Sequence, residues 1–416
     1  MNRQDWPTIP SLISDERLEP LPRQELARYH RNALVPPVGL VGQQRIRAAR
    51  VLIVGAGGLG APAALYLAAA GVGRLGIVDD DVVDLSNLQR QVIHTTARVG
   101  TPKADSAAQA VLALNPDIEV RPQQLRLTAG NAMGVLRGWD LVIDGTDNFP
   151  TRYLLSDATV MLGLPLIHGA VLGLHGQVGV FDARRGPCYR CLHPAPPPAG
   201  AVPSCAEAGV LGVLPGIIGT MQATEALKLI VGGARPLIGR LHLLDAWGAH
   251  LQEIRVDRNP RCASCSPQPT ITALAQEAGP CAPPGPAGGR GTGPEAGEEI
   301  SAAELRAALA GEDPPALLDV REEVEAALEP MPGAVHIPLG EVPGRAGELD
   351  ALRCIVVVCA SGRRSLLAIQ ALRRAGYRGA LLSLHGGMRA WMDLGPAEPS
   401  RPGLEDCPRA ARGHRG

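Results

Sequence analysis

The chain has 416 residues, of which 45% are hydrophobic and 19% are charged, and its formal net charge is −1 at pH 7. At roughly 100–200 residues per domain this length predicts two or three domains, and so nearly neutral a chain predicts no nucleic-acid partner and no attraction to acidic membranes. The N-terminus lacks the apolar core of a signal peptide, and no run reaches about 18 apolar residues, so we expect a cytoplasmic protein without a membrane span.

The first two-thirds of the chain alternates strand-like and helix-like segments. Short apolar runs predict buried strands, and Ala/Leu-rich segments between them predict helices. The predicted strands are 51–54, 75–78 and 141–144, and the predicted helices are 59–70, 104–114 and 217–231. This order predicts an α/β fold with a mainly parallel sheet and crossover helices. Alternation over residues 176–181 predicts a more antiparallel region after Pro165.

A segment rich in glycine and proline divides the chain. Residues 279–294 have the sequence GPCAPPGPAGGRGTGP, in which eleven of sixteen residues are Gly or Pro, so neither a helix nor a packed strand is expected. We therefore predict a first domain over 1–268, a flexible linker over 269–297, a small domain over 298–396 and a flexible tail over 397–416. In the small domain, 316–320, 355–358 and 380–384 are predicted strands, and 366–375 is a predicted helix.

A glycine-rich loop follows the first predicted strand. Residues 55–60 have the sequence GAGGLG, which matches G-x-G-x-x-G and opens a predicted helix. Such glycines allow a tight turn and let backbone N–H groups approach a phosphate. Asp79 lies 19 residues after Gly60, at the end of the next predicted strand, where a carboxylate can bind ribose hydroxyls. The glycines could instead serve only close packing, but the full context predicts a nucleotide site, and the loop alone does not separate NAD from ATP.

Charged residues farther along the chain favour ATP. Arg90 and Lys103 offer positive charge for a polyphosphate, and Asp147 offers an oxygen ligand for Mg²⁺. A dehydrogenase needs a site for hydride transfer rather than a polyphosphate clamp with a metal carboxylate. Taken singly, each of these residues is equally consistent with a solvated surface.

The nine cysteines are an odd number in a chain that is not short, which disfavours a disulfide framework and favours metal binding or catalysis. Cys188 with Cys191 and Cys262 with Cys265 form two C-x-x-C pairs. Two such pairs can close a tetrahedral Cys₄ site with no open position, which predicts a structural Zn²⁺. Free thiols or a redox pair are the alternatives. Cys359 follows a predicted strand and precedes a helix, where backbone N–H groups and the positive helix end stabilise a thiolate or a persulfide.

From about residue 25 to residue 268 the motifs resemble those of the MoeB/ThiF-type adenylyltransferases, relatives of ubiquitin-activating enzymes. The matching segments are RYHR at 28–31, the glycine loop, SNLQRQ at 86–91, GTPK at 100–103, DGTDN at 144–148, PCYRCL at 187–192, CAEAG at 205–209 and RNPRC at 258–262. The resemblance implies a Rossmann-like fold and ATP-dependent adenylylation of the C-terminal glycine carboxylate of a ubiquitin-like sulfur carrier that ends in Gly-Gly. Positioning and positive charge can supply this catalysis, because no covalent protein nucleophile is needed.

The same resemblance implies a role for each matching residue. Gly58 would lie beside the phosphates, Asp79 would bind the ribose, and Asp147 would coordinate Mg²⁺. Arg31 would act as an arginine finger in the partner subunit's site, which implies a homodimer. The full set of expected ATP-binding residues is Gly58, Asp79, Ser86, Asn87, Arg90, Lys103, Asp147 and Asn148. Two residues depart from the family pattern, His30 in place of Asn and Asp80 in place of an aromatic residue, and Asp80 adds negative charge near the nucleotide.

The resemblance also places Cys205 on a mobile crossover loop. Some relatives use a cysteine there for a thioester or a mixed disulfide with the carrier. A catalytic role and a dispensable exposed thiol both stay open, because adenylylation itself does not need this cysteine.

Residues 298–396 resemble a rhodanese sulfurtransferase domain. The matching segments are LDVR at 318–321, PGAVHIP at 332–338, CASGRRS at 359–365 and GGMRAW at 386–391. The resemblance implies that Cys359 carries a persulfide, that the backbone from Gly362 to Ser365 cradles it and that Arg364 adds positive charge. Its sulfur donor would be thiosulfate or a cysteine desulfurase. Ala360 stands where these loops often have Arg, and an inactive rhodanese-like domain is the alternative.

Together the two halves predict an adenylyltransferase fused to a sulfurtransferase, which converts a carrier's carboxylate to a thiocarboxylate for molybdopterin synthesis. Carriers for thiamine, cysteine or tRNA thiolation would need the same chemistry. Three other hypotheses stay open at this point. They are an NAD-dependent oxidoreductase fused to a rhodanese domain, a binding module without catalysis, and an ATP-dependent tRNA-modifying dehydratase.

Overall fold

A computed structural model of the chain describes residues 8–197, 209–275, 298–349 and 354–395. These residues form two compact units, one up to residue 275 and one from residue 298. Most of the predicted linker, the tail and Cys205 lie outside the described residues. Residues 269–275, at the start of the predicted linker, belong to the first unit, because Ile271 N–H donates to Ala263 O (2.9 Å) and Leu274 packs against its core.

The first unit is built on one sheet of eight strands. In chain order they are β1 (Arg50–Val54), β2 (Arg74–Val78), β3 (Glu119–Gln123), β4 (Leu141–Asp144), β5 (Leu166–Leu172), β6 (His175–Phe181), β7 (Arg240–Asp245) and β8 (His250–Arg255). The spatial order is β3-β2-β1-β4-β5-β6-β7-β8. Neighbours from β3 to β5 pair parallel, and neighbours from β5 to β8 pair antiparallel. The predicted mainly parallel α/β fold with an antiparallel region is therefore confirmed.

Helices cover both faces of this sheet. They are α1 (Arg23–Ala33), α2 (Gly39–Ala48), α3 (Gly60–Ala70), α4 (Lys103–Leu114), α5 (Ala132–Leu136), α6 (Phe149–Leu162), α7 (Tyr189–Leu192) and α8 (Val213–Val231). In β1, Val51 and Ile53 point into one buried cluster, and Leu52 and Val54 point into another. Burial on both faces explains why the central strands are uninterrupted apolar runs rather than alternating ones.

Several elements of the first unit were not predicted from the sequence, namely the helices α1, α2, α5, α6 and α7 and the strands β3, β5, β7 and β8. Helix α6 begins after Asn148, whose side chain accepts from Thr151 N–H (3.0 Å), and Pro150 lies in its first turn. Both are ordinary helix-start signals, so the sequence did carry this helix. Strand β3 is a polar edge strand that contains Pro122, and such a strand has no apolar run to reveal it. Helix α8 begins at Val213, four residues before the predicted start.

The second unit has a parallel sheet of five strands. They are β9 (Glu298–Ile300), β10 (Ala316–Asp319), β11 (Ala334–His336), β12 (Ile355–Val358) and β13 (Leu381–Leu384), in the spatial order β11-β10-β12-β13-β9. Its helices are α9 (Ala302–Leu309), α10 (Glu323–Leu328), α11 (Val342–Arg345), α12 (Arg363–Arg374) and α13 (Gly387–Asp393). The central strand β12 is buried throughout and leads directly into Cys359. Within the described ranges, no helix combines the length and the apolar character that crossing a bilayer requires.

Candidate active sites and metal centre

A cleft of about 310 Å³ opens at the carboxyl ends of β1, β2 and β4. Strand β1 pairs with β2 on one side and with β4 on the other. The chain runs from β1 outward to β2 and then crosses back to β4, so the strand order reverses next to β1. Open α/β sheets bind their ligands at such a point. Six of the expected ATP-binding residues line the cleft, namely Gly58, Asp79, Arg90, Lys103, Asp147 and Asn148. Ser86 and Asn87 lie just outside this lining, in a short helical turn over residues 85–87.

The glycine loop owes its shape to contacts that admit no side chain. A Cβ on Gly60 would lie 1.8 Å from Gly55 O, and a Cβ on Gly55 would lie 2.6 Å from Gly145 O. Gly55 also has a φ of +97°, which side chains disfavour. The loop peptide at Ala56 is held at both ends, because its N–H donates to Asp79 Oδ2 (2.7 Å) and its carbonyl accepts from His94 Nε2 (3.0 Å).

Asp79 forms part of the cleft wall and is already engaged by the backbone. Its second oxygen accepts from Asp81 N–H (2.9 Å), and burial raises the pKa of this carboxyl group above its usual value. A carboxylate offers about four acceptor positions, so two remain for ribose hydroxyls. The buried His94 was missed by the sequence analysis, because nothing local marks it. Burial lowers the pKa of His94, in keeping with a neutral ring that donates to Ala56 O.

The cations at the cleft are balanced by nearby oxygen atoms. Lys103 Nζ lies 2.6 Å from Asp81 Oδ2, and the lysine side chain is only 7% exposed while that of Asp81 is 66% exposed. Arg90 donates to Ser86 O (3.2 Å). Because Asp81 is so exposed, its ion pair with Lys103 is weak, and a phosphate oxygen can replace the carboxylate at little cost.

The turn that carries Asp147 is fixed from below by a buried carboxylate. Asp144 Oδ1 accepts from the N–H (3.0 Å) and the hydroxyl (2.6 Å) of Thr146, and Asp144 Oδ2 accepts from Arg152 Nε (3.3 Å) and His168 Nδ1 (3.1 Å). Burial raises the pKa of Asp144, but the hydrogen bond from His168 and the charge of Arg152 outweigh burial and hold it below its usual value. Asp147 itself is exposed at the cleft, where its carboxylate suits Mg²⁺.

The four cysteines of the two C-x-x-C pairs come together in space. Their sulfur atoms all lie within 4.8 Å of one another, and the closest Sγ–Sγ distances are 3.4 Å for Cys191–Cys265, 3.5 Å for Cys188–Cys262 and 3.8 Å for Cys188–Cys191. Four thiolates around one Zn²⁺, each at about 2.3 Å, would be about 3.8 Å apart, so the arrangement fits a tetrahedral metal.

The thiols of this cluster cannot all ionise without a cation. The hydrogen bond between Cys188 and Cys191 lowers the pKa of Cys191 to about 5 and raises that of Cys188, and burial raises the pKa of Cys265 to about 11. A bound Zn²⁺ would supply the positive charge that holds the four as thiolates. This geometry does not favour the alternative of a redox pair, because each sulfur has neighbours from both C-x-x-C pairs.

In the second unit, Cys359 lies at the bottom of a backbone cradle. Its Sγ accepts from Gly362 N–H (3.1 Å) and lies 3.5 Å from Ser365 Oγ, and the residue is fully buried. Gly362 has a φ of +87° at the start of α12. Helix α13 closes the loop from the other side, since Met388 N–H donates to Cys359 O (2.8 Å) and a Cβ on Gly387 would lie 2.3 Å from the same oxygen.

Arg364 brings less positive charge to this loop than the resemblance implies. Its guanidinium forms two bonds of 2.6 Å with the carboxylate of Glu325 on α10. Burial raises the pKa of Glu325, but the bond from Arg364 outweighs burial and lowers it, so this carboxyl group stays ionised and balances the guanidinium. Sequence reasoning missed Glu325 because the pair joins residues 39 positions apart.

Arg31 lies outside the cleft of its own chain. It is exposed on α1 and lines a separate groove of about 560 Å³ together with Tyr66 on α3 and Thr220 on α8. Arg31 therefore does not line the cleft of its own chain. An arginine finger that acts in a partner subunit's cleft requires such a position.

Comparison with known proteins adds a family and two activities. The ThiF family model matches residues 29–264, and the rhodanese-like domain model matches residues 301–394. The chain is 54% identical over 253 residues to a sulfur carrier protein adenylyltransferase of Thermus thermophilus, over 60% of this chain and 93% of the relative. It is 44% identical over 390 residues to the probable adenylyltransferase/sulfurtransferase MoeZ of Mycobacterium tuberculosis, over 92% of this chain and 96% of the relative. A crystal structure of E. coli MccB with ATP aligns with 57% of this chain, and this chain covers 74% of that one, with a TM-score of 0.51 and 20% identity, which shows a shared fold.

Removal of metal should destabilise the first unit. Because removal of Zn²⁺ would break the four bonds that tie the two cysteine pairs together, we expect apo protein to melt at least about 10 °C lower than zinc-loaded protein. Calorimetry with metal content from elemental analysis checks this. Cys359→Ala, in the second unit, should keep both its metal and the melting temperature of the first unit. An unchanged melting temperature at zero zinc content would contradict a structural site.

The buried His168 predicts a pH dependence. Burial lowers the pKa of His168 to about 4, whereas in an unfolded chain it is about 6.5. Between these values the unfolded chain binds a proton that the folded chain excludes, so stability falls as the pH falls through this window. From pH 7 to pH 5 the free energy of unfolding should fall by about 2 kcal/mol more in wild type than in His168→Gln. Denaturant titrations with zinc present measure the two slopes, and the exposed His250→Gln should match wild type.

Proposed function

Because this chain belongs to the ThiF family, we propose that it adenylylates the C-terminal glycine carboxylate of a ubiquitin-like sulfur carrier and that its second unit then delivers sulfur to the activated carbonyl. One observation carries the proposal. A single cleft joins a phosphate-binding glycine loop, two basic side chains and an exposed carboxylate suited to Mg²⁺. Relatives matched over most of the chain are named for both activities, so the binding-module and oxidoreductase hypotheses receive no support.

In the first half-reaction, a carboxylate oxygen of the carrier attacks the α-phosphorus of ATP, and the bond between the α-phosphorus and the bridging oxygen breaks, so pyrophosphate leaves. The glycine loop presents backbone N–H groups to the phosphates, and Asp79 receives the ribose. Lys103 and Arg90 face the developing negative charge. Asp147 would hold Mg²⁺, which neutralises the polyphosphate when it is bound.

In the second half-reaction, the persulfide of Cys359 attacks the carrier's acyl carbon, and AMP leaves. The product is an acyl disulfide between the carrier and Cys359. A thiolate then attacks Sγ of Cys359 and releases the carrier thiocarboxylate, and a second thiol reduces the disulfide left on Cys359. We propose Cys205 as one source of such a thiol. The Gly362 N–H and the N-terminus of α12 stabilise the persulfide anion.

Several finer assignments belong to this proposal. We propose a homodimer in which Arg31 reaches the partner's cleft, Zn²⁺ at the four cysteines, a cytoplasmic location, and thiosulfate or a cysteine desulfurase as the sulfur donor. Among carriers, we place that for molybdopterin synthesis first and those for thiamine, cysteine and tRNA thiolation after it. Carrying both activities on one chain supports the proposal, because it raises the effective concentration of the persulfide at the adenylate.

The proposal is tested by incubating the protein with ATP, Mg²⁺, a sulfur donor and each small Gly-Gly-ending protein of the same genome. Intact-mass spectrometry should show one carboxylate oxygen replaced by sulfur on one carrier. No mass gain on any carrier, together with no AMP or pyrophosphate, would overturn the proposal.

The two half-reactions should separate by mutation. Asp147→Asn should slow ATP–pyrophosphate exchange at least about 100-fold, because it removes the Mg²⁺ carboxylate, and should leave thiosulfate:cyanide sulfur transfer unchanged. Cys359→Ser should do the reverse. Cys354→Ser and the exposed Asp245→Asn are the matched controls, with both activities kept. A single substitution that removes both activities from a folded protein would contradict two separate sites.

The contact between α13 and the persulfide loop gives a second prediction. Gly387→Ala places a Cβ 2.3 Å from Cys359 O at a φ of +63°, so the loop must shift. Sulfur transfer should fall at least about tenfold, since a misplaced cradle stabilises the persulfide less. Adenylylation should not change. Gly340→Ala is the control, because a Cβ there meets nothing within 4 Å. Normal sulfur transfer by a folded Gly387→Ala protein would show that the loop tolerates the shift.

A further inference from the structure

The first cysteine pair lies against the same buried residues that hold the Asp147 turn. Between Cys188 and Cys191 of this pair stand Tyr189 and Arg190, both buried. Arg190 forms two bonds of 2.8 Å with Asp157, in the middle of α6. The cysteine pair is therefore fixed to the helix whose first turn follows Asp147 and Asn148.

Tyr189 connects the cysteine pair to the carboxylate network under the cleft. Its ring centroid lies 5.1 Å from that of His168 and 5.3 Å from that of Tyr153. Burial raises the pKa of Tyr189, and the positive charge of Arg152 acting on its hydroxyl partly offsets burial. Its neighbours in sequence are a predicted metal ligand on one side and Arg190 on the other. A movement of either cysteine therefore moves the ring against which His168 packs.

Arg152 and His168 pass this contact on to the cleft. Arg152 Nη2 donates to Thr146 O (3.1 Å), the carbonyl of the peptide bond that leads into Asp147. Arg152 and His168 both donate to Asp144, which in turn accepts from Thr146 N–H. Each step is a direct hydrogen bond or ring contact between residues that are at least nine-tenths buried, so little water competes with it.

A purely structural role does not explain this choice of residues. Apolar side chains of the same volume would fill the space at equal or better stability, since burying an arginine and a carboxylate costs desolvation energy. The polar residues fix the orientation of the backbone at Thr146, because Asp144 accepts from its N–H and Arg152 donates to its carbonyl. The orientation of Asp147 depends on that peptide.

We propose that Tyr189 is a positioning residue for Asp147 and that it couples the Cys₄ centre to nucleotide binding. The inference rests on the proposed function for its two ligands, Zn²⁺ at the cysteines and Mg²⁺–ATP at the cleft. Coupling of this kind is reciprocal, so nucleotide must tighten zinc binding by the same factor by which zinc tightens nucleotide binding. The network is a contiguous path, and only a measured coupling distinguishes such a path from simple proximity.

The test measures the zinc dissociation constant of the full-length protein by competition with a chelator buffer, with and without a saturating non-hydrolysable ATP analogue and Mg²⁺. Calorimetric titration of the analogue confirms saturation. In wild type the analogue should lower the zinc dissociation constant about fivefold or more. In Tyr189→Phe, which keeps the ring and loses the hydroxyl, zinc binding without nucleotide should stay within about twofold of wild type, and the nucleotide effect should fall to nearly none.

The matched control is Arg258→Ala. Arg258 donates to Cys265 O (2.8 Å) in the other cysteine pair, away from the network that joins Tyr189 to the cleft. This variant should bind zinc more weakly but keep the wild-type nucleotide effect. Arg152→Lys keeps the charge but loses the planar guanidinium that bonds to Asp144 and to Thr146 O at the same time. It should therefore also lose the coupling, and it should raise the Mg²⁺ concentration needed for half-maximal adenylylation.

The outcomes separate this inference from the proposed function. An analogue that binds to wild type without changing its zinc affinity overturns the coupling alone, as does a Tyr189→Phe protein that keeps the full effect. A protein that binds no analogue overturns the proposed function, and the coupling with it. A protein purified without zinc, and unable to take it up, overturns the metal centre and the coupling but leaves the adenylylation assay to decide the rest.

Discussion

The first unit depends on the close approach of two backbone segments, at a distance that leaves no room for a side chain on either segment. The glycine loop after β1 and the turn after β4 meet at Gly55 and Gly145, where a Cβ on either residue would lie within 2.7 Å of a carbonyl oxygen of the other. This contact brings the phosphate-binding loop and the Asp147 turn to one edge of the sheet. The cleft, the network beneath it and the start of α6 all follow from it.

The features that the sequence predicts are those with a local signal. The glycine loop, the central apolar strands and the two C-x-x-C pairs each show their structure within a few residues, and all three are in place. The rest arises from contacts between distant residues. Nothing near Arg364 announces Glu325, and nothing near Lys103 announces that Asp81 lies against it. Asp144 stands in the DGTDN segment, yet its role depends on His168, which comes from the next strand along the sheet.

Each candidate site holds one cation in an ion pair with a carboxylate. Lys103 pairs with Asp81 at the cleft, and Arg364 pairs with Glu325 beside the persulfide loop. In each pair one partner is more exposed than the other, and partly exposed pairs contribute little to stability. Such pairing keeps a nearly neutral chain from displaying bare positive charge, and an anionic substrate releases the carboxylate when it takes its place. Recognition is then an exchange of one anion for another.

Full burial of Cys359 also bears on how long sulfur can be held. Oxidants and stray thiols attack a thiolate or persulfide in proportion to its accessibility. Cys359 presents no surface, and its sulfur accepts from Gly362 N–H, so oxidants and thiols in solution have no direct access to it. Under the proposed function, such burial favours storage of sulfane sulfur on Cys359 between turnovers. The same burial that protects the sulfur means that a sulfur donor or acceptor must displace part of the loop to reach it.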